Sequence, residues 1–404
     1  MTASHPLLAI AFLGLGLAVL QHLVLRRHRS ERPGLPATLP GISVLKPLCG
    51  VDEGLAESLA AFAALDYPRY EVVLGVRDRR DAAWPVAEAA VAQWPGRFRL
   101  VIQRGEPGLN PKVNQLMGMA DAARHDVLVV SDSNVRVAPG YLAEIAWHLQ
   151  DEGVGLVTHA IAGEGEASLG ARLETLHLTS TISPATASAK RILGGDVVVG
   201  KSMAMRRRDL EAMGGFASVK DVLAEDFVLG TRTSRVLGKR VVIAATPIRN
   251  VNHRRTVGQF LERYTRWSVM QRKIAGNVPY ASQILLNPVV FALAATLVDP
   301  GAESLALLGA VSGAKVAVDA ATGRVMRDGG LGWVALLAPV KDLVAALAWL
   351  RGFTRNTVDW RGNRLEILDG SRLRRLEVPA WRAKASAGTL GGAPMGPSIE
   401  ASAP

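Results

Sequence analysis

The chain of 404 residues carries 47 lysines and arginines against 36 aspartates and glutamates, a formal net charge of +11. That length admits one catalytic domain plus accessory segments, and the charge implies an anionic partner: nucleic acid, lipid headgroups or nucleotide phosphates. The arginines flank apolar segments, which sets nucleic acid aside, and the single cysteine, Cys49, excludes an intrachain disulfide and a cysteine-built zinc site.

In chain order, Pro6 to Leu25 (PLLAIAFLGLGLAVLQHLVL) is apolar and long enough, about 30 Å as a helix, to cross a bilayer. Arg26, Arg27, His28 and Arg29 follow it, whereas a signal peptide carries its positive charge before the apolar run. Residues 1–29 are therefore predicted as a transmembrane anchor, with the domain after it on the cytoplasmic side. A proline- and glycine-rich linker, 30–41, leads into a catalytic domain over 42–256. There ISVLKP (42–47), YEVVLGV (70–76), FRLVIQ (98–103), DVLVVSD (126–132) and VGLVTHA (154–160) read as strands buried on both faces. Helical stretches lie between them, around 53–65, 82–94, 111–124 and 139–151. This alternation predicts an α/β fold with a mainly parallel sheet, whose ligand sits outside the C-terminal strand ends. Asp78 and Asp132 fall at such ends.

A helix near 207–213, an apolar helical stretch holding Glu225 and Asp226, and a strand at 239–245 complete the domain. Residues 257–280 open with a basic amphipathic segment suited to a membrane interface. Membrane helices are expected over 281–350, in the blocks Ala281–Val298, Leu305–Ala321 and Leu331–Leu350. The second block carries Lys315 and Asp319, and the third Pro339, Lys341 and Asp342. Three full crossings would put the C-terminal arginines on the side opposite the catalytic domain, so the charges point to one block being re-entrant or interfacial. Residues 351–404 read as a basic segment that becomes a disordered Ala/Gly/Ser/Pro tail from about Pro379.

Candidate chemistry gathers at a few places. Asp78, in GVRDRRD, could meet a nucleoside or serve a turn. Lys112 and Asn114, in GLNPKVNQL, open a helix where a lysine and backbone amides could meet phosphate. Asp132, in VVSDSNV, follows four apolar residues and suits a metal–diphosphate contact through Mg2+ or Mn2+ better than a simple helix cap. The pair Glu225–Asp226 could be catalytic or could serve a helix dipole. His159, a strand-end histidine, reads equally as structural or as an acceptor or diphosphate contact. No GxxxxGK[ST], HExxH or GxSxG motif occurs.

Taken together, VLKPLCGVDEGL, LDYPRYEVVLGVRD, GLNPKVNQLM, VVSDSNVRV, GLVTHA, VVGKSMAMRRRDLEAMGGF, LAEDF and RYTRW resemble the glycosyltransferases of family 21, the ceramide glucosyltransferases, and more broadly the membrane-bound family 2 enzymes. The resemblance implies a GT-A type nucleotide-sugar-binding domain with an N-terminal transmembrane helix and a C-terminal helical membrane region. It implies that Asp78 contacts uridine, with Lys112 and Asn114 near the nucleotide and Asp132 on the divalent cation. Asp226 is then the base that takes the proton of a lipid hydroxyl. Arg263, Arg266 and Trp267 match the R-x-x-R-W motif, where acceptor channel and diphosphate meet, with Glu225 and His159 beside them. The motif at 132–134 reads Asp-Ser-Asn instead of a full D-x-D, so metal ligation rests on one carboxylate plus phosphate oxygens.

The implied reaction is inverting transfer from a UDP-sugar, glucose to ceramide first, an N-acetylhexosamine to a hopanoid second. Anionic membrane lipids are expected partners and nucleic acid is not. A processive polysaccharide synthase fits less well, because that class carries Q-x-x-R-W and more spans. A non-catalytic lipid-binding protein would have lost acidic residues, and none is missing.

Overall fold

Runs of valine, leucine and isoleucine that are apolar at every position, not alternate ones, must be covered on both faces. In the computed structural model, which describes residues 4–360 and 363–376, they form the centre of an eight-stranded sheet. Its strands are β1 Ile42–Pro47, β2 Tyr70–Val76, β3 Phe98–Ile102, β4 Val127–Ser131, β5 Val135–Arg136, β6 Val154–Glu164, β7 Ser202–Arg206 and β8 Arg240–Val251. The order is β3-β2-β1-β4-β7-β6-β8-β5. β3, β2, β1 and β4 run parallel, and β6 pairs parallel with β8. β7 enters antiparallel between β4 and β6, and β5 closes the far edge antiparallel to β8. The sheet is thus mixed, because the polar-looking GKSMAMRR stretch supplies a central strand.

The helices in chain order are α1 His5–Arg29, α2 Leu55–Ala63, α3 Trp84–Gln93, α4 Pro111–Ala122, α5 Tyr141–Leu149, α6 Leu169–His177, α7 Ser183–Leu193, α8 Arg207–Ala212, α9 Glu225–Arg235 and α10 Val257–Ala275. α11 Asn277–Ser282, α12 Pro288–Val298, α13 Ala302–Met326 and α14 Ala338–Thr354 follow. One face of the sheet, with Val44, Val72, Leu74 and Val129, buries against α2, α3 and α5. The other, with Leu45, Val73, Leu128, Val130 and Met203, takes Val113, Leu116 and Met119 of α4 and Leu229 of α9. A small antiparallel sheet, β9 Thr357–Trp360, β10 Asn363–Ile367 and β11 Leu373–Arg375, lies beyond the last helix. The predicted tail lies outside the described residues.

Among the described residues, three stretches are long and apolar enough to cross a membrane: α1, α13 and residues 332–354; the pair Asn277–Leu286 and Pro288–Val298 qualifies together, bent by 78°. Contacts place their ends. The Ser4 hydroxyl at the head of α1 donates to Asp299 just past α12, at 3.1 Å, so these ends share one membrane face. Halfway along α1, a Cβ on Gly14 would come within 2.8 Å of the Leu285 carbonyl, so the break between α11 and α12 lies against a glycine. α13 then returns: Arg29 Nε donates to the Val325 carbonyl at 3.3 Å, and Arg327 pairs with Glu166 of the catalytic domain at 2.7 Å.

The stretch 332–354 starts and ends on that catalytic-domain side. Leu331 and Val334 pack on Leu176 of α6, while Arg351 and Arg355 reach Glu262 of α10 at 3.2 and 2.8 Å. Between those ends α14 packs along α10, with Ala348 near Phe260 and Tyr264. The contacts therefore run α1 and α13 from the Ser4–Asp299 end to the catalytic domain, and set both ends of the third C-terminal block against that domain. Its charges are accounted for too. Lys341 Nζ bonds Asp319 Oδ2 at 3.0 Å, Asp342 Oδ1 at 2.9 Å and the Thr181 hydroxyl at 2.9 Å, and Lys315 Nζ bonds Asp319 Oδ1 at 2.5 Å. All four charged side chains are buried, facing protein and not lipid.

In sealed vesicles of a Cys49→Ser protein, an impermeant maleimide is expected to label Thr354→Cys from the same side as Asp126→Cys, and Gly301→Cys from the opposite side. Labelling of Thr354→Cys together with Gly301→Cys would contradict this path.

Candidate active site

β4 delivers Asp132 to its C-terminal end, and two ammonium groups meet it there. Lys112 Nζ lies 3.0 Å from Oδ1 and Lys201 Nζ 3.1 Å from Oδ2. Lys112 comes from the first turn of α4, whose cap is Asn110: its Oδ1 accepts from the amides of Lys112 at 3.0 Å and Val113 at 3.1 Å. The same ammonium bonds Glu225 Oε1 at 2.9 Å and the Gly200 carbonyl at 2.7 Å, so its three donors are all used. Burial favours the neutral amine at Lys112, yet Asp132 and Glu225 overcome it and raise its pKa above the ordinary lysine range. Burial would likewise raise Asp132, but Lys112 and Lys201 hold it well below the usual carboxylate range.

A third lysine sits beneath. Lys46, at the end of β1, is fully buried over the Phe62 ring at 4.3 Å, and donates to the Asp132 carbonyl at 2.6 Å. Burial pulls its pKa down to about 7 against the attraction of Asp132.

Asp226 opens α9 beside this group. Oδ2 accepts from the Gly200 amide at 2.8 Å and Oδ1 from the Phe227 amide at 2.8 Å. Glycine is required at 200, because a Cβ there would stand 2.5 Å from Asp226 Oδ2. Burial and then the adjacent Glu225 charge push the Asp226 pKa up to about 6, with Lys112 and the two amides opposing. The loop before it is held from two directions. Asn110 Nδ2 donates to the Val222 carbonyl at 2.7 Å, and on the other side the Leu223 amide donates to the Ser371 carbonyl at 2.8 Å and the Ala224 amide to Ser371 Oγ at 3.1 Å. The C-terminal sheet is thus part of the site's framework.

The R-x-x-R-W segment lies on α10, which opens with a capping box made by Thr256 and Gln259. Arg263 Nη1 bonds Glu174 Oε1 of α6 at 2.5 Å and stacks its guanidinium 5.2 Å from the Trp267 ring. Arg255 pairs with the other Glu174 oxygen. Arg266 has no such counter-ion among the described residues, and burial followed by the charges of Arg263 and Arg255 lowers its pKa to about 10. Arg254, Arg255, Arg263, Arg266, Arg355 and Arg364 line a cavity of about 920 Å³, with Asp52, Glu53 and Glu262 in its wall. Asp132 and Asp226 do not line it themselves. Asp52 links the two regions, since its carboxylate accepts the Ser133 hydroxyl.

The remaining sequence candidates lie elsewhere. Asp78 is exposed in the turn after β2, its Oδ1 accepting from the Arg80 amide at 2.7 Å. Asn114 lines a small separate cavity and clamps the Gly108 backbone through both ends of its amide, each at 2.9 Å. His159 is a correction. It was expected at a strand end, but β6 continues to Glu164, which leaves the ring in the core, fully buried between Tyr141 and Ser202. Burial lowers its pKa to about 4, so it stays neutral.

The cation expected on Asp132 meets an ill-fitting donor set. Both oxygens of its carboxylate are on ammonium groups, and Asn134 Oδ1 accepts from Lys201 at 2.9 Å. Among the described residues, no group of three or more His, Cys, Asp or Glu is placed to hold a metal ion. No step below is routed through one. Lys46, Glu174 and Lys201 escaped the sequence reading; the signal available for Lys201 was a lysine just after a glycine, directly before a strand.

The family model described as Glycosyl transferase family 21 matches residues 6–373. The chain belongs to that family. This family 21 glycosyltransferase is 25% identical over 372 residues to ceramide glucosyltransferase 1 of Caenorhabditis elegans, covering 87% of this chain and 76% of the relative. It is 28% identical over 200 residues to a ceramide glucosyltransferase of Komagataella phaffii, covering 44% and 39%. Among solved structures, a mannosyltransferase from Pyrobaculum calidifontis in complex with GDP-Man and Mn2+ aligns with a TM-score of 0.48 at 20% identity, covering 85% of this chain and 99% of that one. The mixed α/β domain, N-terminal span and C-terminal membrane helices agree with the fold implied by the sequence resemblance. The chain is a membrane glycosyltransferase.

Glu174→Ala would leave Arg255 and Arg263 facing each other without their shared carboxylate. It is expected to cost about 3 kcal/mol, the scale of breaking a buried ion pair, read as a lowered thermal midpoint in detergent; an unchanged midpoint would mean that other groups hold the arginines.

Proposed function

We propose that this transferase moves a sugar from a UDP-sugar to the hydroxyl of a membrane lipid by one inverting displacement, with glucose and ceramide as sugar and acceptor. The observation that carries the reaction type is Asp226: a carboxylate aligned by two backbone amides, beside a lysine-rich group suited to a leaving diphosphate. The ceramide glucosyltransferase relatives support the choice of donor and acceptor. Support for a membrane-borne acceptor comes from α10, which places the R-x-x-R-W residues between the catalytic domain and α14. The arginines after α1 and those of the 920 Å³ cavity support a cytoplasmic catalytic face against anionic lipid.

In this reading Asp226 takes the proton from the acceptor hydroxyl as its oxygen attacks the anomeric carbon. The bond to the diphosphate breaks on the opposite side, and UDP departs toward the basic wall formed by Lys112 and by Arg263 and Arg266 of α10. Asp78, at its strand end, is the proposed uridine contact, and Asn114 acts through the loop it clamps. With a pKa of about 6 the base is mostly ionised at neutral pH, yet retains more basicity than an exposed aspartate.

The sign of the pH dependence follows. The base works only when ionised, so kcat/KM is expected to be flat above pH about 6 and to fall tenfold per unit below it. Glu225→Gln removes the neighbouring charge that raises Asp226, so the acid limb should move to lower pH. Asp226→Asn should reduce transfer by roughly a hundredfold to ten-thousandfold. Transfer of labelled glucose from UDP-glucose to ceramide in membranes checks all three; an acid limb unmoved by Glu225→Gln, or an active Asp226→Asn, would refute the assignment of the base.

A further inference from the structure

Three ammonium groups surround Asp132, and they differ in what they have left to give. An ammonium has three N–H donors. Lys112 spends them on Asp132, Glu225 and the Gly200 carbonyl. Lys46 spends its own on the Asp132 carbonyl at 2.6 Å and on Ser131 Oγ and the Val135 carbonyl at 3.4 Å, and its side chain is fully enclosed. Lys201 has two partners among the described residues, Asp132 Oδ2 at 3.1 Å and Asn134 Oδ1 at 2.9 Å. One donor remains, and 13% of its side chain is exposed beside an Asp132 that is 27% exposed.

Those two partners are the side-chain oxygens that an Asp-x-Asn turn would offer to a divalent cation. The ammonium of Lys201 sits between them, a unit positive charge where their lone pairs converge. Its backbone fixes it in place: the Asp132 amide donates to the Lys201 carbonyl at 3.3 Å, and the next residue starts β7, hydrogen-bonded along β4. A cation on Asp132 would have to displace this side chain from both oxygens. A diphosphate arriving over the turn would instead meet a donor that is already aimed and already compensated.

We infer that Lys201 is an internal countercharge for the leaving diphosphate, contacting its oxygens directly and standing in for the divalent cation that the Asp132 turn would otherwise hold. The inference rests on the UDP-sugar reading above. It makes Lys201 a binding residue for the donor, and it makes UDP affinity nearly independent of divalent metal in this chain.

The test is a calorimetric titration of UDP into the purified full-length protein in detergent, in EDTA and again in excess Mn2+. Wild type is expected to bind UDP in EDTA, with an affinity that changes by no more than about threefold when Mn2+ is added. Lys201→Met should lose roughly tenfold to a hundredfold in EDTA, the value of a charge-assisted hydrogen bond. It should regain part of that loss in Mn2+, which the vacated Asp132 and Asn134 oxygens can take up. Lys201→Arg should bind in EDTA, which separates loss of charge from misfolding. Wild-type binding that requires Mn2+, or Lys201→Met binding as wild type in EDTA, overturns the inference while leaving the donor assignment intact. A wild type that binds UDP in neither condition overturns the donor assignment and the inference with it.

Discussion

One ammonium group, Lys112 Nζ, joins three segments that the chain delivers separately: the end of β4 through Asp132, the head of α9 through Glu225, and the turn before β7 through Gly200. A lysine this deeply placed is tolerated only because each of its protons has an oxygen. That requirement fixes the relative positions of the three segments more tightly than apolar packing could. The base depends on it twice. Glu225 is held on Lys112, which leaves Asp226, the next residue, turned to the amide of the same Gly200 whose carbonyl Lys112 grips. Removing the ammonium would leave two carboxylates facing each other at the floor of the site.

The second constraint couples this floor to the membrane. Glu174 holds Arg255 and Arg263, and α6, which carries it, packs on the Leu331–Ala338 segment and on α10. The R-x-x-R-W arginines are therefore set by the same packing that keeps α14 on the catalytic side. The buried Lys315, Asp319, Lys341 and Asp342 tie that packing to α13. The C-terminal sheet returns from α14 to clamp the loop that leads into Asp226. A lipid hydroxyl arriving at the interface would meet a base whose loop and whose neighbouring arginines rest on one continuous set of contacts.

How much of this the sequence carried follows from burial. β1, β2, β3 and β4 were legible to within a residue or two because strands covered on both faces are apolar throughout. Asp132 and the Glu225–Asp226 pair were legible because carboxylates are out of place at the ends of such runs. β8 runs to Val251, past the end near 245 that the sequence predicts, because its second half (TPIRNV) mixes proline and polar residues yet pairs with the far end of β6 on one side and with β5 on the other. The same extension of β6 moved His159 from a strand end into the core. Lys201 was invisible because a lysine in a polar turn is solvated unless something distant folds onto it, and the Asp132 it meets is 69 residues away. The apolar composition of residues 332–354 suits a span and an interfacial helix alike, so only the contacts at its two ends could decide.

The central claim is a single displacement driven by one carboxylate base, and the stereochemistry of the product reports on it most directly. UDP-glucose carries its sugar in the α configuration. Glucolipid formed from UDP-glucose and ceramide by membranes bearing this protein should show a β anomeric proton coupling by nuclear magnetic resonance. An α-linked glucolipid would require a second nucleophile or a front-side path, and would contradict the role given to Asp226.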